Sequence, residues 1–170
     1  MLPDITLTSC QATVADAFVE GAAAFLRARL GLTVHCQLQI PWQAREERLL
    51  SGEIQAGWIC GATYVQMMDH RRAPLTLLAA PVMAAPRYLN RPIYFSDVVV
   101  RADQPYATFT DLRGAVWVYN EPHSHSGYHV VRYHLATLSE TRAFFGRVFA
   151  SGAHQRSLAL ILAGEADASA

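Results

Sequence analysis

The chain has 170 residues, enough for one ordinary domain or two small lobes, and its 52% hydrophobic against 16% charged residues exclude extended disorder. Its 14 Lys and Arg balance its 14 Asp and Glu, so no net positive field exists to hold nucleic acid or an acidic membrane surface. A small oxyanion stays open, because a few backbone N–H groups and hydroxyls can hold one without net charge.

Met1-Leu-Pro-Asp4 has neither the basic region nor the apolar run of a secretory signal, so either a leader has been removed or the protein is not exported. Residues 5–9 read as a short apolar strand. Residues 13–30 carry Val14, Phe18, Ala22, Phe25, Leu26 and Leu30 at helical spacing, and Gly31 closes that helix. Leu32, Val34, Cys36, Leu38 and Ile40 alternate with Thr33, His35, Gln37 and Gln39, which predicts a strand over 32–40 with one buried face. A helix over 43–50 ends near Gly52, a strand over 55–60 breaks at Gly61, a helix follows over 62–69, and a fourth strand over 75–80 comes after Pro74. Strands and helices alternating through short connections imply a largely parallel sheet covered by helices.

Residues 81–92, rich in Pro, Ala and Arg, read as a connector, followed by a strand over 94–101 and a turn over 102–106. The lobe boundary is expected there, giving a first lobe over 1–100 and a second over 101–170. In the second, Thr110 caps a short turn, strands are expected over 115–119 and 147–150, and helices over 127–138 and 155–164. Residues 166–170 open a further strand with nothing after it, which predicts an incomplete sheet with an exposed edge, completed by more native chain or by a partner. The expected fold class is α/β. Cys10, Cys36 and Cys60 are widely spaced and odd in number, form no C-x-x-C pair, and read as buried small hydrophobes. No segment reaches the ~20 apolar residues that span a bilayer.

The strongest local feature is Asn120-Glu-Pro-His-Ser-His-Ser-Gly-Tyr128, a polar turn between a strand and a helix. A strand of a parallel sheet delivers its carboxyl end to a crevice, where the first N–H groups of the following helix face outward and attract anions. Ser124 and Ser126 add hydroxyl donors, and Gly127 lets the backbone approach a tetrahedral oxyanion closely. The same serines also fit plain helix N-caps.

Four stretches together resemble the substrate-binding components of phosphate/phosphonate ABC transporters. They are Phe109-Thr-Asp-Leu-Arg-Gly114, Tyr119-Asn-Glu-Pro-His-Ser-His-Ser-Gly-Tyr128, Phe144-Phe-Gly146 through Ser151-Gly-Ala-His154, and Ala163-Gly-Glu-Ala-Asp167. The resemblance implies two α/β lobes of type II periplasmic-binding-protein architecture, the second incomplete here, closing on a ligand between them. It implies a small phosphorus oxyanion as ligand, an ABC permease as partner, an extracytoplasmic location, no cofactor and no catalysis. Its helix-start serines match Ser124 and Ser126 around His125, its cleft aromatics match Tyr94 and Trp42, and its ligand-facing histidine matches His154. The family pattern has a Tyr where Trp42 stands, a departure that leaves its role open.

Each assignment has a plainer alternative: a Tyr packed with its hydroxyl in water, a helix-start His, or, for Thr63 at the start of the helix after Gly61, simple capping rather than a hold on the far side of the anion. His123, His125, His129 and His134 raise the competing idea of a metal-dependent enzyme, with Glu121 the one carboxylate nearby. His129 and His134 lie about 140° apart around a helix, which argues against a shared metal. Ser124, Ser126 and Ser157 lack a G-x-S-x-G elbow, so a hydrolase is disfavoured. A ligand-sensing relative without a transporter is the third reading. An aminophosphonate would need a carboxylate for its ammonium, for which Glu121 and Asp167 are the candidates.

Overall fold

The structure, a computed structural model, describes residues 4–69, 75–140 and 143–170, leaving aside the side chain of Trp42. Contacts divide the chain into two units, Met1–Leu75 and Thr76–Ala170.

In the first unit β1 (Ile5–Ser9) pairs in parallel with β2 (Val34–Cys36) on one side and β3 (Ala56–Trp58) on the other. A 3₁₀ turn, Thr13–Ala15, leads into α1 (Asp16–Leu30), which stops at Gly31, whose φ of 64° supplies the left-handed cap. α1 buries Val19 and Ala23 against Leu7, Val34 and Leu38. The apolar residues whose spacing marked the helix, Val14, Phe18, Phe25 and Leu30, lie on its exposed side. α2 (Trp42–Ser51) ends at Gly52 and α3 (Gly61–Asp69) follows β3.

The expected strand over 32–40 is cut to three residues. Beyond Cys36 the carbonyls are taken by side chains instead of a neighbouring strand: Thr8 Oγ1 donates to Gln37 O at 2.6 Å, and Arg45 Nε to Ile40 O at 2.6 Å. The same Arg45 guanidinium donates to the carbonyls of Ser9 and Leu38 and is buried. The expected strand over 75–80 does not form; among the described residues no strand pairs with it, and Leu77 and Leu78 are exposed.

The second unit contains a four-stranded sheet of order β4-β7-β5-β6, made by β4 (Val99–Val100), β5 (Val116–Tyr119), β6 (Arg147–Ala150) and β7 (Ala168–Ser169). β5 is parallel to β6 and β7, whereas β4 runs antiparallel to β7. Because Val99 and Val100 pair with β7, residues 76–100 group with the second unit, and the division falls after Leu75 rather than at 100/101. β7, expected to leave an open edge, is an inner strand between β4 and β5. α4 (Val130–Thr137) is entered through a π-helical turn, His125–His129, and α5 (His154–Leu162) leads back toward β7. Leu112, Trp117, Val131, Leu135, Phe144, Phe145 and Ala168 form the core, with Phe109 stacked on Phe144 at 5.4 Å and Trp117 on Phe145 at 4.8 Å.

The short turn Phe109–Leu112 is capped by Thr108, not Thr110. Asp111 accepts from the N–H groups of Thr108 at 2.7 Å and Ala107 at 2.9 Å, and these bonds hold its carboxyl below the usual range. Thr110 turns its hydroxyl to that of Thr108 at 2.9 Å. No described helix is long and apolar enough to cross a membrane.

Candidate functional site

β5 ends at Tyr119, and the chain reverses through Asn120, Glu121 and Pro122 before the π-turn. Ser124 is the N-cap: its extended backbone stands outside the helix and its Oγ accepts from Gly127 N at 3.1 Å. Its carbonyl accepts from His129 N at 3.1 Å, five residues on, which makes the opening turn wider than an α-turn. The N–H groups of His125 and Ser126 belong to the opening turn and find no acceptor among the described residues. Ser126 Oγ likewise has no described protein partner, while the Ser126 carbonyl accepts from Ser96 Oγ at 2.8 Å. Ser124 therefore caps the turn, and the next two amides are not taken up by the described protein groups.

Ser96 ties the segment before β4 to this turn. Tyr94, half exposed, meets the His125 ring edge-on at 6.1 Å between centroids. Two positions far apart in sequence, Tyr94 and residues 124–127, are thus neighbours. His154 opens α5; burial pushes its imidazole below the ordinary histidine range, and a hydrogen bond to the Ala170 backbone opposes that shift. The Ala170 carbonyl oxygen would lie 3.2 Å from a Cβ placed on Gly127, so His154 reaches the underside of the same turn with one ring nitrogen committed to protein.

The structure gives Gly127 a reason the sequence did not show: a Cβ there would lie 2.1 Å from Asn120 Oδ1, so the absent side chain makes room for protein beneath the turn. Asp167 is reassigned. Its carboxylate accepts from Val116 N at 2.7 Å and its N–H donates to Val116 O at 2.9 Å, which commits it to fastening the approach of β7 to β5. Glu121 remains beside the turn, its carboxyl raised by burial and pulled back by His123. His129, whose Nε2 is buried without a described partner, is held below its ordinary range chiefly by burial and further by His125, Arg132 and His123.

Thr63 and Trp42 belong to the first unit. Thr63 is buried, with its hydroxyl 3.2 Å from Cys60 Sγ. Trp42 is the first residue of α2, and its side chain lies outside the described part. Cys10, Cys36 and Cys60 form no disulfide and are partly rather than fully buried. Among the described residues no group of three or more His, Cys, Asp or Glu is placed to hold a metal, so the His123/His125/His129 reading finds no ligand set there. Sequence reasoning missed Asn120, buried beneath Gly127, and Ser96; a polar residue at a strand end and a serine in a connector carry no local mark of such contacts.

The architecture is that of α/β substrate-binding proteins. It is similar to PhnD1 from Prochlorococcus marinus MIT 9301, solved in complex with methylphosphonate, with TM-score 0.74 and 17% identity over 98% of this chain and 62% of that one. A binding-protein component of an ABC phosphonate transporter from Pseudomonas aeruginosa gives TM-score 0.73 and 15% identity over 99% and 57%. A Xanthomonas citri protein bound to ATP gives 0.58 and 14% over 97% and 62%. The chain therefore spans only about three-fifths of the length of these structures, and at such identities the likeness establishes the fold. No curated protein matches the chain. Residues 7–170 match the model of the periplasmic substrate-binding proteins of phosphonate ABC transporters, and the chain belongs to that family.

Proposed function

We propose that the chain binds a small phosphorus oxyanion, a phosphonate, phosphite or phosphate, on the helix start at 124–127, and serves outside the cytoplasm as the non-catalytic binding component of an ABC uptake system. The observation that carries this reading is the pair of N–H groups at His125 and Ser126 with no acceptor among the described residues, together with the Ser126 hydroxyl, on the helix start that follows β5. Donors left over by the fold at a helix start match an acceptor-only guest, and the aligned peptide dipoles of the π-turn and α4 add to the attraction. Tyr94 contributes a wall or its hydroxyl from beside His125, and His154 acts from the adjoining helix start. Methylphosphonate in the Prochlorococcus relative supports the choice of ligand class.

Isothermal titration with methylphosphonate, phosphite and phosphate tests the proposal. At least one is expected to bind, and Ser126→Ala to weaken it by ~1.5–3 kcal/mol, the range for a hydrogen bond to a charged group, or roughly tenfold or more. Absence of heat with all three anions would overturn the reading. Trp42→Ala and Thr63→Ala titrated in the same way test whether the first unit contributes, as the family resemblance implies.

A further inference from the structure

Asn120 is 6% exposed, and its side-chain oxygen is buried with no hydrogen-bond partner among the described residues. Native proteins leave few such acceptors unpaired, so one that persists calls for a reason. Its surroundings supply one. A Cβ on Gly127 would fall 2.1 Å from Oδ1 and 3.2 Å from Cγ, so the Cα–H bond that a Cβ would replace points at the amide oxygen. The partner this geometry offers is a weak Cα–H···O contact. The main chain of the same residue reaches the other candidate helix start: Asn120 O accepts from Gly152 N at 2.7 Å, two residues before His154.

Resting on the reading above, we infer that Asn120 is a positioning residue for the oxyanion site. Its side chain supports the π-turn at Gly127 and so fixes the placement of the His125 and Ser126 amides, and its carbonyl fixes the loop that brings in His154. Asn120 does not touch the ligand. It acts through Gly127, the one residue of the turn with no side chain to be displaced.

Titration calorimetry with methylphosphonate and ¹H–¹⁵N spectra of the intact chain test the inference together. Gly127→Ala, whose methyl collides with Asn120 Oδ1, is expected to weaken binding at least tenfold. Asn120→Ala is expected to weaken it about fivefold or more at a temperature where the variant is fully folded. The double variant, in which the collision with Asn120 is relieved, is expected to bind more tightly than Gly127→Ala alone, which ties the effect of Gly127→Ala to this contact. Without ligand, Asn120→Ala should shift the His125, Ser126 and Gly127 amide signals well beyond those of α5. Unchanged affinity in folded Asn120→Ala, a double variant no better than Gly127→Ala, or unmoved amide signals would each overturn the inference. A parent chain that binds no oxyanion, with the amide shifts still present, would overturn the functional reading and leave the positioning contact standing.

Discussion

The two units place a central parallel strand in the same way and finish it in opposite ways. At the end of β1 and in the segment that follows β2 the chain presents carbonyls, and the buried Arg45 side chain closes them off by donating to Ser9, Leu38 and Ile40. At the end of β5 it presents N–H groups, and no described protein acceptor closes off those of His125 and Ser126. Strand-end position alone therefore does not make a binding site. What matters is whether the fold leaves donors or acceptors over, and whether it spends its own side chains on them.

The difference can be attacked from several sides. The largest expected effect comes from the core of the second unit: Phe144→Ala removes a fully buried ring stacked on Phe109 and should cost about 3–5 kcal/mol in chemical unfolding. If the open helix start depends on strand-end chemistry, the folded fraction should still bind anion with parent affinity in the cold; a parallel loss of affinity would tie the site to core packing instead. Next, Arg45→Ala strips three carbonyls of their donor, each worth ~1–3 kcal/mol when left unpaired in the interior, and should lower stability by about 3 kcal/mol. An unchanged melting temperature would show that water replaces the guanidinium and that the closed end of β1 is not what stabilises it.

A smaller effect is expected from pH. Burial holds the imidazoles of His129 and His154 below the ordinary histidine range, so the unfolded chain takes up their protons near pH 6.5 and the folded chain only at lower pH. Stability from these groups is present above about pH 6.5 and is lost as pH falls below it. Thermal unfolding followed from pH 7.5 to 5.5 should show a falling midpoint that His129→Gln makes shallower. A midpoint independent of pH in the parent would remove the histidines from the account.

Much of this was legible in the sequence, for reasons that differ by element. β1 and β6 have the expected bounds because a short apolar run flanked by turn residues leaves few alternatives, and α1 ends at Gly31 because a left-handed cap favours glycine. The turn at 124–127 was visible because a serine-rich stretch between strand and helix has local chemistry. The failures are non-local. Residues 75–80 have strand composition but no partner strand among the described residues, residues 37–40 lose their ladder to Thr8 and Arg45, and β4 joins the second sheet through a pairing that spans about seventy positions of sequence. Val14, Phe18 and Phe25 gave the helical period correctly and the buried face incorrectly, since both faces of α1 carry apolar residues. Asp167 looked like a ligand group because a carboxylate near a strand does not announce that a backbone amide has already claimed it.

The π-turn gives the stretch a length requirement as well as a chemical one. Val131 and Leu135 lock the rotation of α4 into the core, and the five residues of the π-helical segment, closed by a bond from His129 N to Ser124 O, separate that locked cylinder from Ser124. Loss of a single codon between 125 and 129 would pass the phase error, about 100° for one helical residue, to the opening amides, because the far end is not at liberty to rotate. A point substitution there, outside Gly127, changes one side chain, whereas a deletion shifts every donor at once.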